Sequence, residues 1–140
     1  MAYKPKYFTL EELLKSDKAL SSKVPNLPSW EVIEHLLELA EFLDQLRVAY
    51  GKPIYVSSGF RCPRLNTLVG GVPNSVHKKG YAADVYATDM AGFISFIKSW
   101  APGKAFDQII IETSKTSRWI HIGIRNNKGE QRRKLFSMAV

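Results

Sequence analysis

The sequence predicts an α+β fold, a small antiparallel sheet packed with helices, in a single domain over residues 1–140. Three observations carry that expectation. The stretch "WEVIEHLLELAEFLDQLRVAYG" repeats apolar residues at helical spacing. Later runs, "PIYVSSGFR", "AADVY", "FDQIIIE" and "RWIHIGIR", are rich in β-branched and aromatic residues. The last two are separated only by "TSKTS", the length and composition of a hairpin connection. Helices first, then strands mixed with helices, then a hairpin is the order of an α+β chain.

In "YFTLEELLKSDKA", Thr9 followed three residues later by Glu12 forms a capping box, and Phe8 can pack on Leu13 as a hydrophobic staple. A short helix is expected there. After the proline-broken "SKVPNLPS", Ser29 caps the long helix, whose buried face is read as Ile33, Leu36, Leu37, Ala40, Leu43 and Leu46; Gly51 and Pro53 end it. "PIYVSSGFR" then reads as a strand turning at Gly59, and "CPRLNTLVGG" as a helix opened by Pro63 and stopped by Gly70 and Gly71. "AADVY" leaves the loop around Gly80 as a strand, and Thr88 is expected to cap a helix through Trp100 with Phe93, Ile94 and Ile97 buried.

Composition narrows the classes of function. With 140 residues and 45% hydrophobic content, the chain can bury a sizeable core. It shows no apolar run of membrane-spanning length and no secretory-type N-terminus, so synthesis in the cytoplasm without a signal peptide and no membrane insertion are expected. The single cysteine, Cys62, excludes an internal disulfide and a cysteine-rich zinc cluster, and is read as a semi-buried structural thiol. Any metal must be held by histidines and carboxylates. A net charge of +7 favours attraction to a polyanion such as nucleic acid, an acidic cell-wall polymer or a membrane surface. Its only cluster is "RNNKGEQRRK", and no nucleic-acid-binding signature accompanies it, so no specific nucleic-acid partner is expected.

Three histidines are present. His35 lies in the long helix without a matching ligand partner and is given a structural role. His77 and Asp84 bracket the loop around Gly80, and His121 lies on a hairpin strand. If the loop folds back, these three could form an open tetrahedral site. Spacing alone leaves an ordinary loop histidine, edge aspartate and half-buried strand histidine equally open.

The segments "SSGFRCPRLN", "GGVPNSVHKKGYAADV", "FDQIIIE" and "WIHIG", spanning Ser57 to Gly123, resemble the M15 family of zinc peptidases. This is the D-Ala-D-Ala carboxypeptidase and VanX-like group with the Hedgehog-type fold, and the likeness is to its short phage and prophage lysin branch. The resemblance implies that His77, Asp84 and His121 bind Zn2+. It implies a catalytic acid/base at Glu112, although some branches carry that group three residues before the last histidine, where this chain has Arg118. It gives Arg61 the task of stabilising negative charge on the carbonyl oxygen or the substrate carboxylate, and Ser75 a place in substrate binding. Asp107 and Gln108 are read as supports, one of them orienting a ligand imidazole, while Trp119 and Tyr81 either line the cleft or cover the core. The implied activity is hydrolysis of stem or cross-link peptides of bacterial peptidoglycan, by a monomer acting at the cell wall after phage-type release. A zinc-stabilised, non-catalytic binding module and a basic nucleic-acid-binding protein, the latter supported by the +7 charge alone, are the competing readings.

Overall fold

A computed structural model of the chain describes residues 3–140. Among these residues there are α1 (Leu10–Leu14), α2 (Asp17–Ser21), α3 (Trp30–Tyr50), α4 (Pro63–Leu68) and α5 (Met90–Trp100), with a 3-10 turn at Val76–Lys79. The strands are β1 (Tyr55–Ser58), β2 (Ala82–Tyr86), β3 (Gln108–Thr113), β4 (Arg118–Gly123) and β5 (Lys134–Ala139), in the sheet order β1-β2-β4-β3-β5. The fold is α+β. Pairing from β1 to β3 is antiparallel as expected, but β5, which the sequence reading did not anticipate, adds in parallel to β3 and makes the sheet mixed.

Alternation along the strands gives the sheet two unlike faces. Ala83, Val85, Ile109, Ile111, Ile120 and Ile122 lie on one face and join the core with α3 and α5. Asp84, His121, Ile110 and Glu112 lie on the other. On α3 the buried stripe is Leu36, Leu39, Ala40, Leu43 and Leu46. Ile33 and Leu37 are only half-buried, so the face is rotated from the expected one toward Leu39 and Phe42. On α5, Phe93 and Ile97 are buried and Ile94 only partly so. Asp89 rather than Thr88 caps that helix, its carboxylate accepting from Gly92 N at 3.0 Å. Thr9 and Ser29 cap α1 and α3 as read. No helix among the described residues is long and apolar enough to cross a membrane.

Two buried carboxylates anchor the chain ends. Asp44, on α3, accepts hydrogen bonds from the Tyr3 hydroxyl and from the backbone N–H groups of Lys6, Tyr7 and Phe8. The bond to Asp44 pushes the Tyr3 phenol up to about 12. Asp107 receives both Nε and Nη2 of Arg132, at 2.7 and 2.9 Å, and the Arg132 backbone N–H at 3.1 Å. That forked pair seats the segment leading into β5. Of the C-terminal basic cluster, Arg132 is therefore engaged with Asp107, and Arg125 with Glu38 through a second forked pair at 2.8 and 3.0 Å.

Burial works to raise the Asp107 carboxyl, but the bonds from Arg132 outweigh it and hold the pKa below its ordinary value. A depressed carboxyl contributes stability above the unfolded pKa, about 3.9, and loses it as pH falls through the folded value. Asp107→Asn should therefore lower the thermal midpoint at neutral pH. The gap to the parent should close as pH is taken from about 6 to about 3, followed by circular dichroism.

Candidate metal centre

The site begins with strand register. Asp84 on β2 pairs directly with His121 on β4, so both side chains leave the sheet on the same face. His121 Nδ1 lies 3.1 Å from Asp84 Oδ1. His77 arrives from the 3-10 turn over that face, and its Nε2 lies 3.4 Å from the same oxygen. The three side chains are 3%, 17% and 13% exposed for His77, Asp84 and His121, a walled site rather than a surface cluster.

The turn is set by local chemistry. Ser75 caps it, accepting from His77 N at 3.2 Å, and Gly80 ends it in the left-handed region at φ +79°. A Cβ at Gly80 would also fall 2.9 Å from the Val32 carbonyl oxygen on α3. His77 Nδ1 sits 2.8 Å from the Gly59 carbonyl oxygen, which can only accept, so Nδ1 carries the proton. In the neutral ring Nε2 is then a bare lone pair pointed at a carboxylate oxygen. Two electron-rich atoms held that close call for a cation between them. Gly59 in turn has no room for a side chain, because a Cβ there would lie 2.2 Å from the Leu13 carbonyl oxygen.

The donor set suits zinc. Two imidazole nitrogens and one carboxylate oxygen match a three-ligand zinc site that leaves a fourth position open, and donors about 2.0 Å from a tetrahedral ion stand about 3.3 Å apart. The observed separations of 3.1 and 3.4 Å bracket that spacing. His77, Asp84 and His121 form the group of potential ligands found among the described residues, with their donor atoms within 4.8 Å of one another. With protons in place of an ion, burial works to raise the Asp84 carboxyl, while the charge and hydrogen bonds of imidazolium at His77 and His121 hold it well below the usual carboxylate range.

Around this group lie the other residues singled out from the sequence. Arg61 Nη2 donates to Ser75 Oγ at 3.3 Å, and its Nε is buried with no hydrogen-bond partner among the described residues. Burial draws the guanidinium below its ordinary value, while the charges of Asp84 and Glu112 act the other way, so both carboxylates lie within its field. Glu112 pairs with Trp119 in the β3–β4 ladder, one diagonal step from His121, about 7–8 Å. Trp119 Nε1 donates to Glu112 Oε2 at 2.7 Å. Trp119 thus fixes the carboxylate, a link invisible in sequence until the hairpin register is known.

Other readings resolve differently. Asp107 is bound to Arg132 and does not orient an imidazole; a backbone carbonyl, that of Gly59, does so for His77. His35 stacks on Tyr81 with ring centroids 4.0 Å apart, and its Nδ1 donates to the Lys79 carbonyl oxygen at 2.6 Å, which gives both rings a packing role. Arg118 is exposed at the start of β4 and pairs with Thr113 in the ladder.

Comparison with known families now bears on the site, because residues 6–123 match the family model Peptidase M15. The chain belongs to the peptidase M15 family. Family membership makes it a metallopeptidase by class, since M15 peptidases are in general zinc-dependent and act on peptides. A search of curated proteins finds no match. The family match ends with β4, so the loop after Gly123 and β5 lie beyond it.

Zinc titration by calorimetry should show one site per chain. His77→Ala or Asp84→Asn should weaken binding by more than about 100-fold, above the roughly 10- to 100-fold that loss of a supporting hydrogen bond costs. Gly59→Ala should weaken binding without removing any ligand, because the backbone that orients His77 must shift.

Proposed function

We propose that this chain is a single zinc peptidase domain that hydrolyses peptide bonds in the stem or cross-link peptides of bacterial peptidoglycan. The observation that carries the reading is the gathering of two histidines, one aspartate, an arginine and a glutamate on one sheet face of an M15 chain. His77 Nε2, Asp84 Oδ1 and His121 Nδ1 would hold the ion. Bound there, zinc supplies a Lewis acid and brings the pKa of water from 15.7 down to about 7.

The chain's own residues do the remainder. Glu112 takes a proton from the attacking water and returns it to the leaving amine, the work of a general base and then a general acid. Trp119 holds one of its oxygens, and Oε1 has no hydrogen-bond partner among the described residues, leaving it available for the proton. Arg61 bears on the substrate oxygen as negative charge develops, through the guanidinium end whose Nη2 meets Ser75. Ser75 steadies the guanidinium through Nη2 and lines the cleft beside His121.

The wall substrate is supported by the net charge of +7, which attracts the protein to anionic wall polymers and raises encounter rates at low salt. Phage-type release to the wall fits the same reading. Two of the C-terminal basic residues, Arg125 and Arg132, are taken up in ion pairs with Glu38 and Asp107, and the cluster carries no nucleic-acid-binding signature.

Zinc-loaded protein should release new peptide ends from purified peptidoglycan, identified by mass spectrometry, and a chelator should abolish the release. Glu112→Gln should lower kcat by about 100- to 10,000-fold with zinc content unchanged. Arg61→Lys should also reduce turnover sharply, since an ammonium cannot reproduce the planar fork. Full metal occupancy with no release from walls of several cross-link types would favour a zinc-stabilised binding module instead.

A further inference from the structure

The metal centre lies between two cavities rather than at the end of one. The first, about 630 Å³, is lined by Ser58, Gly59, Arg61, Val69, Lys15 and Lys18. The second, about 510 Å³, is lined by Ser75, His121, Gln108, Asn74, Asn126 and Lys128. Both fall within the roughly 300–1,000 Å³ of ordinary ligand pockets.

The two meet at the site. Arg61 of the first donates to Ser75 of the second at 3.3 Å. Across the sheet, Ser58 pairs with Asp84 and Asp84 with His121, so one lateral row of residues runs from the first cavity through the metal ligands into the second. That row covers two strand spacings, roughly 10 Å. An enzyme that trims single residues from a chain end needs a cleft closed just beyond the cut, with a fixed cation for the terminal carboxylate. Here Arg61 stands at the junction of the two arms and not at a blind end. The lysines of the arms are accompanied by carboxylates in the same walls, Lys15 and Lys18 by Glu12 and Asp17, and Lys128 by Glu130.

We infer that the enzyme is an endopeptidase, with the substrate peptide running through the metal centre and occupying both arms so that the bond cut is internal. This rests on the peptidase reading of the site. The second arm is built partly from the loop beyond the family match, which is tied back when Asn127 Nδ2 donates to the Asn74 carbonyl oxygen at 2.7 Å. Selectivity on that side therefore draws on residues outside the family match.

The test uses the full zinc-loaded chain on cross-linked peptidoglycan and on synthetic stem peptides that differ only in a free or amidated C-terminus. Amidation should change kcat/KM by less than about threefold, and products should carry more than one residue on each side of the cut. Val69→Trp fills the first arm, and Asn74→Trp fills the second while keeping the carbonyl that Asn127 uses. Each should lower kcat/KM on the cross-linked substrate about tenfold with zinc content unchanged. The inference is overturned by release of single terminal residues with loss of activity on amidation, or by an effect from only one of the two substitutions. Absence of cleavage of every substrate by fully metallated protein would instead overturn the peptidase reading itself, and the inference with it.

Discussion

Asp84 and His121 face one another because β2 and β4 pair in a register that buries Ala83, Val85, Ile120 and Ile122 on the opposite side of the sheet. Side chains alternate with a period of two, so a slip of one residue would send the carboxylate and the imidazole into the hydrocarbon core and the isoleucines into the cleft. Burying those polar groups without partners would cost several kcal/mol, on the order of the stability of a small domain. The core thus specifies the metal ligands indirectly. Packing of α3 and α5 on one face holds the chemistry on the other.

The third ligand depends on a longer chain of contacts. Asp44 ties the backbone of Lys6, Tyr7 and Phe8 to α3, which positions α1. The Leu13 carbonyl at the end of α1 then receives the Phe60 N–H at 2.8 Å, in the one place where Gly59 lets the two backbones approach. Gly59 accepts from His77 Nδ1, and Arg61 N donates to the His77 carbonyl at 3.1 Å. Asn26 closes the arrangement, donating to the carbonyls of Leu14 and Phe60 and accepting from Cys62 N. Ligand and arginine are therefore set by the same few backbone bonds, and a disturbance at α1 reaches both.

Much of this was legible in the residues. Capping at Thr9 and Ser29, the hairpin through "TSKTS" and the α+β class follow from local chemistry that each segment carries with it. The rotation of the α3 face toward Leu39 and Phe42 was not legible, because a helix apolar over so much of its circumference leaves the choice of buried stripe to its neighbours. Nor was β5. Its residues, "KLFSMA", follow a basic run and are largely exposed, so the strand exists through its pairing with β3 and the Asp107–Arg132 clamp rather than through a buried face of its own.

By itself the sequence determined which chemical groups are available: three histidines, a lone cysteine, a glutamate at a strand end and an arginine beside a glycine turn. It also determined the segments that carry them, since periodicity, caps and glycines are local properties. Only the tertiary structure decided that His77, Asp84 and His121 share one point in space while His35 stacks on Tyr81, and that Trp119 holds Glu112. Those decisions rest on strand register and on backbone contacts between residues far apart in the chain. The family-like segments of the sequence imply that His77, Asp84 and His121 act together, but their geometry is fixed only when the whole core closes.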